Sequence, residues 1–503
     1  MHLSTNKSSL LILVLALSLG ACAVGPDFTR PASPTVQDYL KTKMPKTIVA
    51  GHNETKQHLS VGKTVSNEWW ELFHSRQLDD VVTLALDNNQ TLAASVATLA
   101  AAQDAIRIAS GALFPQVDAN AGFQRQNSLG GGGSNSGSNP ISNLYSVGAT
   151  VSYVPDVFGL TRRTIEQQTA LAENQLYQLG AAYLTITGNV VTQAITVATL
   201  RGQLAAVKSI VASDKQNYTL VKEKMEAGKV ARIDLLTAES QLANDLTQLP
   251  PLRQKISVAE HAISVLVSKS PGEWSPPNFD LAKMRLPPNL PVSLPSALVH
   301  QRPDILAAEA QLHADSAAIG IATAQMYPTI TLSGAGTFES AVAGGLFAHS
   351  NLLWSVAAGL TTPIFHGGSL IAQRDQAVNT FKAAAATYQQ TVITAFGQVA
   401  DTLRALKNDA DFLKAQKEAL DTAQESLRLQ RFSYSEGKSD LLLLLNAERN
   451  YHLALQGFVQ AQGQRYLDTA QLFLAMGGGW PVPQNYSKRK ASIGLSCEAR
   501  RAG

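Results

Sequence analysis

Aromatic residues are scarce in this chain. Phe, Tyr and Trp together make up 6% of its 503 residues, which argues against large apolar cores. Its 45% hydrophobic content rests mostly on Ala, Val and Leu, a mixture suited to long helices. Charged residues are also few, 16% against about 25% in an ordinary soluble protein. The only cysteines, Cys22 and Cys497, cannot build a disulfide framework. After residue 25 there is no run of about 20 apolar residues, which excludes a polytopic helical membrane protein. Lys and Arg number 41 against 38 Asp and Glu, so no basic surplus points to nucleic acid.

Catalytic signatures are missing as well. The ten histidines contain no His-Glu-x-x-His pair, and two cysteines make no zinc site. His300 and His313 read as solvated or packed helix residues. Gly62-Lys63-Thr64 lacks the phosphate-loop glycine five positions earlier, where Gln57 stands. The Gly130–Gly133 run has no lysine or helix after it, and no Gly-x-Ser-x-Gly elbow occurs. The expectation is no enzyme, no metal site and no cofactor apart from a covalent lipid.

That lipid is expected on Cys22. Lys7, the apolar run Leu10 to Leu19 and Gly20-Ala21-Cys22 make a basic, hydrophobic and small-residue sequence typical of a signal peptide. Leu19-Gly20-Ala21-Cys22 resembles a bacterial lipobox, which implies cleavage before Cys22 and its lipidation. Ala23, rather than Asp, follows the cysteine, which favours sorting to the outer membrane.

The rest of the chain is written twice. Gly228-Lys229, Leu235-Leu236 and Ala238-Glu239 recur 209 positions later as Gly437-Lys438, Leu444-Leu445 and Ala447-Glu448. Phe114-Pro115 is echoed by Tyr327-Pro328, and Phe158-Gly159 by Phe365-His366-Gly367. Heptads run from Leu176 through Val190 and Val211 to Met225, and from Val378 through Leu406 to Tyr434. A sustained period of seven predicts left-handed supercoiled helices. A helix from about 160 to 227 would be about 100 Å long, and Gly228 and Gly437 stand where each long helix should stop. Two helical hairpins follow, with tips at 226–234 and 435–440. Pro250-Pro251 should break the first returning helix.

Two alternating stretches precede each long helix. Val117, Ala119, Ala121 and Phe123 alternate with Asp118, Asn120, Gly122 and Gln124. Tyr145, Val147, Ala149 and Val151 alternate with Ser146, Gly148, Thr150 and Ser152. The second half repeats this around 329–338 and 352–362. Runs of about ten residues suit outer-membrane strands, but four strands cannot close a barrel. Several copies must therefore share one, unless the strands form a soluble sandwich.

With these features the chain resembles the outer-membrane efflux proteins of Gram-negative bacteria, and most closely their lipoprotein branch, the NodT family, relatives of TolC. The resemblance spans about residues 20–480. It rests on Cys22-Ala23-Val24-Gly25-Pro26-Asp27-Phe28, Trp69-Trp70 with Phe73 and Leu78, Gln301-Arg302-Pro303-Asp304-Ile305 with Glu309, Ile319-Gly320, Tyr327-Pro328 and Gly477-Gly478-Gly479-Trp480. It implies a mainly α fold with a membrane β-barrel. Three copies would share a 12-stranded barrel and a 12-helix periplasmic tunnel, lipid-anchored in the outer membrane. The implied partners are a periplasmic adaptor (membrane fusion protein) and an inner-membrane efflux pump, with no nucleic acid. The implied function is passive conduction of drugs or other small toxic solutes. An exit duct for type I protein secretion and a non-channel coiled-coil lipoprotein are the competing readings.

The family closes its periplasmic end with carboxylate rings and polar links between tips. Asp234 matches a tip aspartate. Asn446 stands where the second hairpin commonly has Asp, so the gate is less charged there. Glu239 and Glu448 complete the gate candidates. Asp234 also reads as an N-cap of the returning helix. Gly228, Lys229, Arg232, Gly437, Lys438 and Ser439 are the candidate adaptor contacts. The expected plan is a signal peptide at 1–21, an extended anchored segment at 22–66, efflux repeats at 67–275 and 296–480 around a linker at 276–295, and a basic disordered tail at 481–503.

Overall fold

A computed structural model describes residues 23–42, 45–51, 55–127 and 141–480. The signal peptide, Cys22, the Gly130–Gly133 run and the tail at 481–503 lie outside the described residues.

The element order shows the duplication. The chain opens with β1 (Thr47–Ile48), β2 (Gln57–Val61) and α1 (Arg76–Asn88). The first repeat then runs α2 (Gln90–Gly111), β3 (Gln116–Asn127), β4 (Ile141–Tyr153), α3 (Leu160–Glu226), α4 (Arg232–Leu246) and α5 (Leu249–Leu266). After β5 (Asn289–Val292) and α6 (Pro295–Leu298), the second repeat runs α7 (Pro303–Ala324), β6 (Thr329–Ser340), β7 (Leu352–Thr361), α8 (Ser369–Ser435) and α9 (Leu441–Ala475). Helices α3 and α8 are each 67 residues long, and α2 and α7 each 22.

The returning limbs differ. Helix α9 is continuous over 35 residues, whereas its counterpart is split between α4 and α5. Pro250 and Pro251 fall in the first turn of α5, where a missing N–H costs nothing, so the break precedes them at Thr247–Gln248.

Two compact units are present. Of the described residues, the first takes 23–31, 98–127, 141–176 and 307–389. It carries one antiparallel sheet in the order β3-β4-β6-β7, a single layer rather than a sandwich. The second takes 32–42, 45–51, 55–97, 177–306 and 390–480. Its main core gathers Trp69, Phe73, Leu78, Ile263, Leu290 and Phe473, with Trp69 against Phe473 at 5.5 Å between ring centroids. Heptad positions Val190, Val197 and Val211 on α3, and Val392, Val399, Leu406, Leu413, Leu420, Leu427 and Tyr434 on α8, are buried. A sustained seven-residue period thus marks a packed seam.

This unit also holds a small sheet, β1-β2-β5, which the sequence did not announce. Its strands have two to five residues, too few to show alternation, and β2 pairs in parallel with β5 from more than 200 residues away. The fully buried Arg465 supports it, donating to Thr55 O at 2.7 Å and to Gln57 Oε1 at 3.2 Å.

Candidate functional site

The register of the four-stranded sheet sorts its side chains by face. Ala121 lies opposite Val147, Val147 opposite Phe338, and Phe338 opposite Leu352. Val117 and Val151 share that face, as do Trp354, Val356 and Leu360. The other face carries Asp118 opposite Thr150, Gly122 opposite Ser146, and Ser146 opposite Glu339. Because side chains alternate along each strand, in-register pairing turns four alternating sequences into one apolar and one polar surface. Trp354 and Val356 remain 77% and 80% exposed, so none of the described residues covers the apolar face there.

Aromatic residues mark both ends of this sheet. Phe123 pairs with Tyr145 at 4.8 Å, and Phe338 with Phe347 at 5.7 Å, towards the hairpin loops. At the opposite end Phe114 precedes β3 and Phe365 follows β7, while Phe158 stacks on Tyr327 at 4.9 Å. Strands of 10 to 13 residues tilted by about 40° rise roughly 25–33 Å, the height of a membrane's apolar layer.

The start of the chain is strapped within the same unit. Arg163, nearly buried, donates to Val24 O at 3.2 Å, Gly25 O at 3.3 Å, Asp27 at 2.8 Å and Glu166 at 2.7 Å. His313 is packed: it stacks on Phe28 at 4.4 Å and shares a 3.0 Å hydrogen bond with Glu166. Gly25, at φ +95°, comes so close to Gly320 that a Cβ there would sit 2.5 Å from the Gly320 Cα. Two separated motifs, Gly25-Pro26-Asp27-Phe28 and Ile319-Gly320, are therefore the two sides of one contact. Arg163 and Glu166 had no motif to announce them, since apart from each other their partners are more than 130 residues away. His300, in the second unit, makes a 3.0 Å hydrogen bond with Ser33 Oγ.

The hairpin tips belong to the second unit and repeat one geometry. Lys229 N–H donates to Lys224 O and Gly228 N–H to Met225 O, both at 2.9 Å. In the other tip Lys438 N–H donates to Ser433 O at 2.9 Å and Gly437 N–H to Tyr434 O at 3.1 Å. Gly228 and Gly437 hold φ of +72° and +71°, the left-handed turn that ends a helix. An apolar cluster of Val221, Ala238, Leu427, Tyr434, Leu444 and Ala447 joins the two tips. Lys224 caps it, with its ammonium 4.0 Å from the Tyr434 ring. Lys229, Arg232 and Lys438 are exposed, and Ser439 is half-buried, accepting a hydrogen bond from Gln430.

The gate candidates separate. Glu239 is exposed, whereas Asp234 and Asn446 are half-buried. Asp234 is not the N-cap: the chain enters α4 through Ala231, and Asp234, three residues on, accepts the Ala231 N–H at 3.1 Å. The second hairpin caps differently, with Asp440, at the position of Ala231, accepting the Leu443 N–H at 2.9 Å. Glu448 is a correction to the gate reading. It is fully buried and accepts from Asn217 at 2.6 Å and 2.7 Å and from Arg431 at 3.1 Å, so it is tied into the packing of the helices rather than free to line an opening.

A duplicated chain with a sheet polar on one side, apolar on the other and banded by aromatics has a counterpart among known families. The family model described as "Outer membrane efflux protein" matches residues 81–268 and again 294–478. The chain belongs to this outer membrane efflux protein family. Nodulation protein T of Rhizobium leguminosarum bv. viciae is 29% identical over 494 residues, covering 97% of this chain and 96% of that protein. The toluene efflux pump outer membrane protein TtgF of Pseudomonas putida is 28% identical over 479 residues, 94% of this chain and 97% of its own length. Among solved structures, the outer-membrane channel OprN superposes with a TM-score of 0.81 at 26% identity, covering 92% of this chain and 100% of that one. This efflux protein is accordingly an outer-membrane export channel of the NodT and TolC type.

Proposed function

We propose that three copies of this chain close a single 12-stranded barrel in the outer membrane, continued by a 12-helix periplasmic tunnel. Through it drugs or other small toxic solutes pass from a periplasmic adaptor and an inner-membrane pump to the exterior. The observation that carries this reading is the pair of free edges. Among the described residues no strand pairs with the outer edge of β3 or of β7, and open edges are not tolerated in lipid. With four antiparallel strands per chain, β7 of one copy meets β3 of the next with the antiparallel order kept. Two copies would give eight strands, whose interior side chains fill the space; twelve leave a lumen. Helix α2 supports the same assembly, because this Ala-rich 22-residue helix buries only Leu99 within its own chain and needs an outside partner.

The polar strand face then meets water, and the apolar face with Trp354 and Val356 meets lipid. A lipid on Cys22 adds an anchor. The chain supplies a path, and the pump supplies the energy. TtgF, named for a toluene efflux pump, supports small hydrophobic cargo. The gate residues in this reading are Asp234, Asn446 and Glu239, and the adaptor meets Gly228, Lys229, Arg232, Gly437, Lys438 and Ser439.

The test is conductance of the purified, detergent-extracted trimer in planar bilayers. One preparation carries Leu444→Ser, which loosens the apolar cluster between the tips. Discrete conductance steps, larger in the variant, are expected. Silent bilayers from both intact trimers would make the protein a coiled-coil spacer and overturn the proposal.

A further inference from the structure

Three polar side chains meet inside the helical unit, on three different helices: Asp214 on α3, Asp245 on α4 and His452 on α9. Their donor atoms all lie within 4.8 Å of one another, and all three residues are at least nine-tenths buried. Neither carboxylate oxygen of Asp214 meets a donor group, its neighbour being the Asp245 carboxyl, and His452 Nδ1 has no hydrogen-bond partner. Leaving such groups unpaired in the interior is costly.

The duplication does not repeat them. The equivalent positions 209 residues away are Ala423, Ala454 and Ala243, of which Ala243 is exposed and the other two are half-buried, so the buried cluster belongs to this side of the repeat.

We infer that Asp214, Asp245 and His452 bind one divalent transition-metal ion of the zinc class. One imidazole nitrogen and two carboxylate oxygens are borderline-hard donors that suit Zn²⁺, and a fourth position remains for water. Donors around such an ion stand about 3.4 Å apart at about 2.1 Å from the metal. His452 Nδ1 and Asp245 Oδ2 are 3.8 Å apart, so a small closure completes the geometry. Asp245 is already oriented: Gln241 and Gln248 each donate to it at 2.7 Å, and Gln456 donates to Gln248 at 2.8 Å. An open groove of about 740 Å³, lined by Ser209, Ser213, Arg431 and His452 among others, brings solvent to the His452 side of the cluster. Bound there, the ion ties both limbs of the first hairpin to the returning limb of the second.

The test uses the full-length, tag-free trimer, stripped with a chelator and titrated with Co²⁺, whose visible d–d absorption reports tetrahedral binding. Wild type should take up one Co²⁺ per chain, release it to Zn²⁺, and show a higher unfolding temperature with Zn²⁺. Asp214→Ala combined with His452→Ala removes polar groups that lack partners in the interior, so the trimer should persist. Its affinity should fall by more than about a hundredfold, and that of Gln248→Ala by about tenfold. The site is disproved if wild type binds no metal, because Asp214 then simply shares a proton with Asp245. Equal binding by the double variant overturns it too.

Discussion

Arg163 reaches Asp27 across 136 residues of sequence, with a 2.8 Å hydrogen bond from its guanidinium to the carboxylate. Asp27 itself is 92% exposed, so the pair alone is screened and worth little. The hold comes from the same guanidinium also gripping Val24 O and Gly25 O from a nearly buried position. The segment just after the expected lipid site is therefore fixed by protein contacts as well.

Cys22→Ser should abolish lipid attachment yet leave barrel assembly largely intact, because insertion rests on paired strands and on this strap, while one anchor adds only apolar chain burial. Palmitate labelling beside outer-membrane fractionation reads both effects. Label persisting in the variant would rule out Cys22. In contrast Arg163→Ala, which strips several charge-assisted hydrogen bonds at once, should destabilise the strap by about 2–3 kcal/mol and expose the N-terminal segment to protease. Unchanged cleavage kinetics would contradict that.

Strand face should decide tolerance to charge. Val147 lies between Ala121 and Phe338 on the apolar face, so Val147→Arg should cost about 2–4 kcal/mol and deplete trimers in the outer membrane. Ser146 lies between Gly122 and Glu339 on the polar face, so Ser146→Arg should assemble and shift ion selectivity towards anions. Equal trimer yields from the two variants would refute the facing.

At the tips, Gly228→Asp with Gly437→Asp forces two left-handed turns on residues that resist them, at roughly 1–2 kcal/mol each. Among the described residues, none beyond the glycine's chain neighbours lies within 4 Å of a Cβ at either place, so the change acts through the turn and its surface. Trimers should persist and drug export should fail. Antibiotic susceptibility beside a trimer blot tests it, and normal resistance from well-expressed protein would remove the tips as the docking end.

Stability should depend on pH through Asp468. Burial, with Asp409 alongside, raises its pKa from the ordinary 3.8 to about 8. Between those values the folded state holds a proton that the unfolded chain has released, so stability falls as pH rises from about 4 to about 8 and then levels. Asp468→Asn should flatten this slope and raise the apparent Tm above about pH 8. Parallel Tm curves for the two proteins across that range would exclude Asp468 as the source.

What the sequence determined by itself was everything written in a period. Alternation at Val117–Phe123 and Tyr145–Val151, heptads along the long helices, and glycines at the two turns are local patterns, because side-chain direction repeats every two residues in a strand and every 3.6 in a helix. Family motifs added the membrane and the export role. Tertiary structure decided what depends on distant partners. Gly25 against Gly320, Arg163 on the opening segment, and the pairing of β2 with β5 join residues more than 130 positions apart and leave no periodic trace. Glu448 shows the limit. Its local sequence matches that of Glu239, yet one carboxylate is exposed and the other fully buried on Asn217 and Arg431. The repeat makes the two positions alike, and only the neighbours brought by folding make their environments differ.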